Sequence, residues 1–360
     1  MHKVSQFNLF EKSDMKKILS IGQFLADGES NTCLHRNRSL HKLGDVVDID
    51  STLPNYLSLK HRIYNKLFVR FHLPVEFSFK SLQDDIIKAV SVTKFNIIWI
   101  DKGIYIKEST FKKMKELQPH ATIVGYSPDN MIERHNQTQC FLDTIKYYDF
   151  YFTTKSYIVD DLKNLGCPNV FFVNNAYEET FHRPYEISES EKKRLGGKVG
   201  FIGKWEKERC ESIIYLAKNG VPVRVWGGGE WLKYKGIYDN LIIEDRGLFS
   251  SDYNKALSAF DISLCFLRKI NNDQQTTRTM EIPACGSLLM AERTKEHECL
   301  FKDGVEAIFF SSNEELLEKC KYYIDNPDKL KAVAKAGMVR CKESGYSNYE
   351  TLKRCLEIVE

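Results

Sequence analysis

The sequence predicts an α/β protein made of two consecutive Rossmann-like halves, each a parallel sheet covered by helices on both faces. Three observations carry this expectation. At 360 residues the chain exceeds what one hydrophobic core usually fills, so two domains of about 150 to 200 residues are expected. Short apolar runs alternate with helical patterns in two separate series. Between the series, residues 174–198 are polar and the alternation pauses.

The first series opens on Ile18–Ile21, an apolar run closed by Gly22, followed by a looser segment with Gly28. A helical stretch with Arg36, Arg38 and Leu40 leads into a second strand at Val46–Asp50. Further strands are expected at Phe95–Ile100, Ala121–Gly125, Phe150–Thr153 and Val170–Val173, with helices at Ser109–Leu117 and Ser156–Leu165. The second series runs through Val199–Gly203, Val221–Trp226, Leu241–Glu244, Ile262–Phe266, Gly286–Met290 and Ala307–Phe310. Helices at Glu314–Ile324 and Pro327–Glu343 complete it. Ligands of such sheets bind beyond the carboxyl ends of the strands, so the halves are expected to face a central cleft. The expected layout is an N-terminal extension (1–14), a first domain (15–180), a linker (181–198), a second domain (199–343) and a C-terminal helix (344–360) able to pack back on the first.

Composition excludes several classes. A hydrophobic content of 42% and a charged content of 28% are ordinary for a soluble globular chain. A net charge of +3, without long basic runs or nucleic-acid signatures, argues against a nucleic-acid partner. The first fourteen residues lack the apolar core of a signal peptide. No segment approaches the roughly 20 apolar residues that span a bilayer. The ten cysteines are scattered, without metal-ligand spacing, and read as reduced structural thiols in a reducing, cytoplasmic setting. Peripheral attachment at the inner face of a membrane stays open.

The most informative segment runs from Asn272 to Gly286. Asp273 and Glu281 are separated by seven residues, with Thr276, Thr277 and Arg278 between them. Hydroxyls, free amides and a guanidinium at a helix N-terminus suit a diphosphate. A carboxylate one turn into that helix can accept two hydrogen bonds from a ribose diol. The combination suggests a nucleotide-sugar site.

Several segments resemble the GT-B glycosyltransferases, of the glycosyl transferases group 1 type, related to spore-maturation CgeB-like proteins. In the first half the matching stretches are Lys17–Gly22, Arg38–Gly44 leading into Val47–Asp50, Asp101–Gly103, Tyr126–Asp129 and Tyr148–Thr154. In the second half they are Phe201–Gly203 with Arg209, Trp226–Gly227 and, above all, Arg278–Gly286, similar to an R-x-x-E-x-x-x-x-G donor segment. The resemblance covers nearly the whole chain from Met15. It implies a GT-B fold, a nucleotide diphosphate-sugar (UDP-sugar favoured) bound in the second domain, and a carbohydrate or glycolipid acceptor entering from the first. It also implies retention at the anomeric carbon and a setting in bacterial surface polysaccharide or glycoconjugate synthesis.

The resemblance assigns Glu281 to the ribose and Thr276, Thr277 and Arg278 to the diphosphate, whose charge grows as it leaves. A helix-cap role for Thr277 and a structural ion pair for Arg278 are the plain alternatives. Asp273 keeps the spacing of a Glu-x7-Glu pair with a shorter side chain. Lys204 and Arg209 follow the Val199–Gly203 strand and are expected against the donor phosphates. Trp226 and Gly227 read as donor pocket, although Trp226 also fits a core position. Arg246, Gly247 and Leu248 are expected to hold the base through backbone atoms. Gly22 opens a loop toward the cleft. Asp129 stands where related enzymes often place a histidine, and is either a general base, a sugar-hydroxyl ligand or a turn aspartate. Asp101 and Lys102 share that ambiguity, and His182 reads as structural. Asp48 and Asp50 lie in a strand rather than in a metal motif, so no metal and no cofactor are expected. Rival readings are a nucleotide-sugar epimerase or hydrolase on the same scaffold, and a non-catalytic nucleotide-sugar-binding subunit. A dinucleotide oxidoreductase is weaker, because no G-x-G-x-x-G follows the first strand.

Overall fold

The computed structural model describes residues 15–26, 28–52 and 59–360. The expected extension at 1–14 lies outside them. The chain forms two compact units. The first comprises 15–26, Asn31–Val173 and Leu352–Glu360, and the second comprises 28–30 with Asn174–Thr351.

The first unit is a six-stranded parallel sheet in the order β2-β1-β3-β4-β5-β6. Its strands are β1 (Lys17–Gly22), β2 (Asp45–Asp50), β3 (Ile97–Asp101), β4 (Thr122–Ser127), β5 (Phe150–Thr153) and β6 (Val170–Phe172). Its helices are α1 (Thr32–Leu43), α2 (Leu59–Phe71), α3 (Lys80–Val92), α4 (Glu108–Leu117), α5 (Gln139–Thr144) and α6 (Val159–Asn164). The inner strands β1, β3, β4 and β5 are buried almost throughout because both faces are covered, whereas the edge strands β2 and β6 are largely exposed. Leu19, Ile21, Ile98 and Ile100 enter one core and Ile18, Ile97 and Trp99 the other, as the period of two demands. Helices α2 and α3 fall in a stretch where sequence pattern gave no assignment.

The second unit repeats the plan with α7 (Glu189–Leu195), β7 (Gly197–Ile202), α8 (Lys207–Lys218), β8 (Val223–Trp226), β9 (Leu241–Glu244) and α9 (Ser250–Ala259). It continues with β10 (Phe260–Cys265), α10 (Thr277–Ala284), β11 (Leu288–Glu292), α11 (Lys295–Leu300), β12 (Ile308–Phe310), α12 (Asn313–Asp325) and α13 (Pro327–Glu343). Its sheet is parallel in the order β12-β11-β10-β7-β8-β9. The order reverses direction between β7 and β10, and in the first sheet between β1 and β3. Each reversal opens a crevice at the strand ends, where ligands of this architecture bind. Helix α7 lies in the stretch expected as linker, stabilised by a capping box between Ser188 and Glu191. Helix α14 (Asn348–Val359) begins in the second unit, and its Leu352, Cys355, Leu356 and Val359 are buried with Ile18, Leu40 and Trp99 of the first. All ten cysteines are free, and only Cys299 is exposed.

Candidate functional site

The crevice between β7 and β10 is braced by two arginines that cross it in opposite directions. Arg209, on the helix after β7, donates Nη2–H to Leu267 O (3.4 Å) beyond β10 and Nη1–H to Lys204 O (3.1 Å). Arg278, at the start of the helix after β10, donates Nε–H to Ile202 O (2.9 Å) at the end of β7. Carbonyl acceptors fix both side chains, and a carboxylate pairs with Arg209 as well. The carboxylate near Arg209 is Glu206 at 3.1 Å, which also receives Arg268. Burial holds the Arg209 guanidinium below its ordinary pKa; Glu206 opposes this, and the charges of Arg278 and Arg268 add to it. Arg209 Nε–H is buried with no hydrogen-bond partner. A buried, unmatched cationic donor beside a second cation is a site short of an anion.

Around this brace lie the other groups expected on the diphosphate. Lys204 is exposed in the loop between β7 and α8. Thr277 opens α10 and is half-buried, as is Thr276 before it. The first amides of a helix have no partner in its own ladder and carry the positive end of its dipole. The Thr276 amide is held by Thr279 Oγ1 (3.1 Å), and the Thr276 hydroxyl lies 3.6 Å from Cys265 Sγ. Thr279 Oγ1 meets His297 Nε2 at 2.9 Å, while His297 Nδ1 meets Glu292 O at 2.7 Å. Burial pushes the His297 imidazole down to about 4, so it is neutral. Its Nδ1–H then goes to the carbonyl, and Nε2 accepts from Thr279. Gln275 ties down the same loop by accepting Asn175 N–H (2.9 Å) and donating to Asn174 and Glu296 (2.8 Å each).

Glu281 is buried inside α10 and held from two sides. Tyr253 O–H donates to its Oε2, and His182 Nε2 lies 3.6 Å from Oε1. Burial, with Glu281 next in size, raises the Tyr253 phenol well above its usual range, so it stays a donor. Glu178 N–H donates to His182 Nδ1 (3.0 Å), which places the proton of the neutral ring on Nε2, toward Glu281. Burial is also the first cause of the lowered His182 pKa. His182, read as structural from the sequence, is thus a positioning group for the carboxylate. No local sequence signal pointed to it or to Tyr253.

The remaining expected residues are distributed as follows. Asp273 is buried and lines a polar cleft of about 660 Å³ with Lys269, Glu292, Arg293 and Thr294. Gly227 and Gly228 form a close backbone crossing. A side chain on Gly227 would collide with Gly203 O, and Gly228 adopts φ +58° with Asp245 O 2.7 Å from where a Cβ would lie. Trp226 takes its core alternative: it is 3% exposed and its indole N–H is given to Leu195 O (3.1 Å). Its ring instead underlies Arg246, whose guanidinium lies 5.8 Å away and is otherwise exposed. Leu248 is buried, and Gly247 is half-buried. In the first unit, Gly22 closes β1 against Cys33 and Phe24. Asp129 pairs with Lys102 Nζ at 2.6 Å. Burial alone would raise the Asp129 pKa, but Lys102, with Lys155 and Arg36, outweighs it and the carboxyl lies below its usual value. That is a poor tuning for a general base, which works best with a pKa near the working pH. Asp101 is engaged by Arg36 through two hydrogen bonds of 2.6 and 3.0 Å. Among the described residues, no group of three or more His, Cys, Asp or Glu could hold a metal ion.

Comparison with known proteins defines the class. Residues 208–357 match a family model described as "Glycosyl transferase-like". Among solved structures, the Anabaena protein HepE in complex with UDP-glucose aligns with a TM-score of 0.63 at 14% identity, covering 96% of this chain and 99% of that one. Sucrose-phosphate synthase from Thermosynechococcus elongatus aligns at 0.61 and 11% identity, covering 95% and 98%. An alpha-glucosyltransferase in complex with UDP and a 13-mer DNA aligns at 0.63 and 13% identity, covering 96% and 99%. No curated protein sequence matches the chain. The fold is GT-B, and the span that matches the glycosyl transferase-like model includes Arg209, Arg278 and Glu281. The match and these neighbours support the resemblance to group 1 glycosyltransferases.

Proposed function

We propose that this protein is a glycosyltransferase that moves a sugar from a UDP-sugar to an acceptor hydroxyl, with affinity to the CgeB-like members of group 1. The observation that carries the reading is the pair of crossing arginines, fixed by carbonyls and left with the unmatched Nε–H of Arg209. A diphosphate at the α10 N-terminus supplies the missing charge, and it gains charge as the glycosidic bond breaks. Thr276 and Thr277 add hydroxyl or amide donors, Lys204 a mobile ammonium. Glu281, steadied by Tyr253 and His182, takes the ribose diol. Asp273 serves the sugar side. The strand-end turn from Arg246 to Leu248 holds the base through its backbone, with Gly228 keeping that turn close and Gly227 packed on the end of β7. UDP is favoured because HepE and the alpha-glucosyltransferase are solved with it.

In this reading leaving-group charge is balanced by arginines and a helix end, without a metal. Asp129, kept ionised by Lys102, holds a sugar hydroxyl rather than removing a proton, in keeping with retention at the anomeric carbon. The acceptor is a carbohydrate or glycolipid of bacterial surface polysaccharide or glycoconjugate assembly, with the enzyme at work in the cytoplasm. A panel of UDP-, GDP-, dTDP- and CDP-sugars, scored by thermal shift and by release of the nucleoside diphosphate, tests the proposal. UDP-sugars are expected to stabilise the protein most. A protein that none of them stabilises has no donor site of this kind.

A further inference from the structure

Among the described residues, helix α2 of the first unit carries a largely exposed face. Between Leu59 and Leu73 the sequence holds Lys60, Arg62, Lys66 and Arg70 together with His61 and His72, and no aspartate or glutamate. Residues four apart form rows along a helix. Leu59, Ile63, Leu67 and Phe71 make one row, and Arg62, Lys66 and Arg70 make the row beside it. Leu59 is 72% exposed, Ile63 48% and Phe71 57%, and Leu73 just beyond the helix is 47% exposed. The four basic side chains are exposed as well.

The opposite face is held by aromatic contacts. Phe68 is buried, with the Arg134 guanidinium 4.2 Å from its ring, and the His61 ring lies 3.9 Å from that of Phe77. The helix is therefore anchored by one side, while Leu59, Ile63 and Phe71 of the apolar row are exposed and Leu67 is half-buried. Single exposed leucines are ordinary, but a continuous apolar row flanked by cations is not. Among the described residues no helix is long and apolar enough to cross a membrane. A basic amphipathic helix of this size instead lies in the plane of a bilayer interface.

We propose that α2 is a docking surface for an anionic bilayer. The row from Leu59 to Phe71 enters the boundary between headgroups and acyl chains, while Lys60, Arg62, Lys66 and Arg70 meet lipid phosphates. Charge decides the occupant. A second copy packed through this face would set four cations against four, which opposes association. A nucleic acid would match the cations and leave the apolar row in water. This inference rests on the first unit alone and holds whichever donor the second unit takes.

The test is co-sedimentation of the full chain with vesicles of phosphatidylcholine, with and without phosphatidylglycerol. Binding is expected only with phosphatidylglycerol present, weakening as salt screens the headgroups. Replacing Arg62, Lys66 and Arg70 by glutamate is expected to lower that binding by about tenfold or more. These side chains are exposed, so the thermal midpoint should stay near that of the parent. An Ile63→Trp variant gives a second readout, an added tryptophan emission that shifts to the blue with the anionic vesicles. No binding at low salt, equal binding by the charge-reversed variant, or an unshifted added emission in Ile63→Trp would each overturn the proposal. So would self-association abolished by Ile63→Gln with vesicle binding unchanged.

Discussion

The two sheets place an arginine on the helix after their first strand and use it in opposite ways. In the first unit, Arg36 of α1 reaches across the β1–β3 reversal to Asp101 at the end of β3, and its charge is matched by two hydrogen bonds. The pair is buried, and Arg36 also lies 4.5 Å from the centre of the Tyr126 ring. Burial works against the Arg36 charge, but Asp101, with Tyr126 and Cys33, more than offsets it and the pKa is raised. In the second unit, Arg209 of α8 reaches across the β7–β10 reversal and meets carbonyls, and Arg278 returns the gesture. One crevice is closed by an internal salt bridge. The other is spanned by carbonyl contacts, with Glu206 beside Arg209, and leaves the Arg209 Nε–H unmatched. A shared topology therefore fixes where a ligand can bind, and the counter-charge decides which crevice takes an anion.

Breaking the closed crevice should have the largest effect. Arg36→Ala leaves Asp101 buried and unpaired, and a loss of about 3–5 kcal/mol in stability is expected from urea unfolding. Donor binding by the folded fraction should not change. Replacing both partners by apolar residues of similar volume should restore most of the stability. In the open crevice the signature inverts. Arg278→Ala should lower turnover of the preferred donor by about 10²–10³-fold, the cost of losing a preorganised donor to a developing anion. Its thermal midpoint without ligand should move little. A stability loss as large as that of Arg36→Ala would show that Arg278 is structural.

Acidification probes the support beneath α10. The folded pKa of His297 lies at about 4 against an ordinary 6.5, so the unfolded chain binds a proton first as pH falls. Its contribution is complete above about pH 6.5 and is lost progressively down to about 4, on the order of 3 kcal/mol at most. A thermal midpoint that falls across that window, and falls less in His297→Gln, is the expected result. The smallest effect belongs to Tyr253→Phe, which removes one hydrogen bond to Glu281. A drop in donor affinity of about 5–10-fold is expected in titration calorimetry, smaller than that of Glu281→Ala. Unchanged affinity in Glu281→Ala would refute the ribose assignment.

Much of the fold was legible because its strands are buried on both faces. Runs such as Ile97–Asp101 and Ile262–Cys265 cannot be mistaken for half-exposed strands. The segment holding Arg278 and Glu281 stood out because a loop, a helix start and two charges fall within a few residues. Helices α2 and α3 were not, since α2 turns apolar groups both inward and outward and so blurs its own period. The partners of Glu281 were also hidden. Tyr253 is 28 residues away and His182 lies before the second sheet begins, so only the folded chain brings them together. Trp226 shows the reverse problem, a strand-end aromatic whose two readings diverge only once Leu195 O is seen to accept its N–H. The Arg36–Asp101 pair spans 65 positions and leaves no local trace.

Helix α14 has a consequence for how the chain is made. Leu352, Cys355, Leu356 and Val359 complete a core whose other members, Ile18, Leu40, Trp99 and Phe152, leave the ribosome far earlier. The half synthesised first therefore waits with one face of its sheet incompletely covered until residues 352–359 have been made. A premature stop near residue 351 would spare every candidate donor residue and still harm the opposite half. An expression fragment ending at Val173 would lack the same cover, and the remedy is to supply 352–360 in trans or by circular permutation.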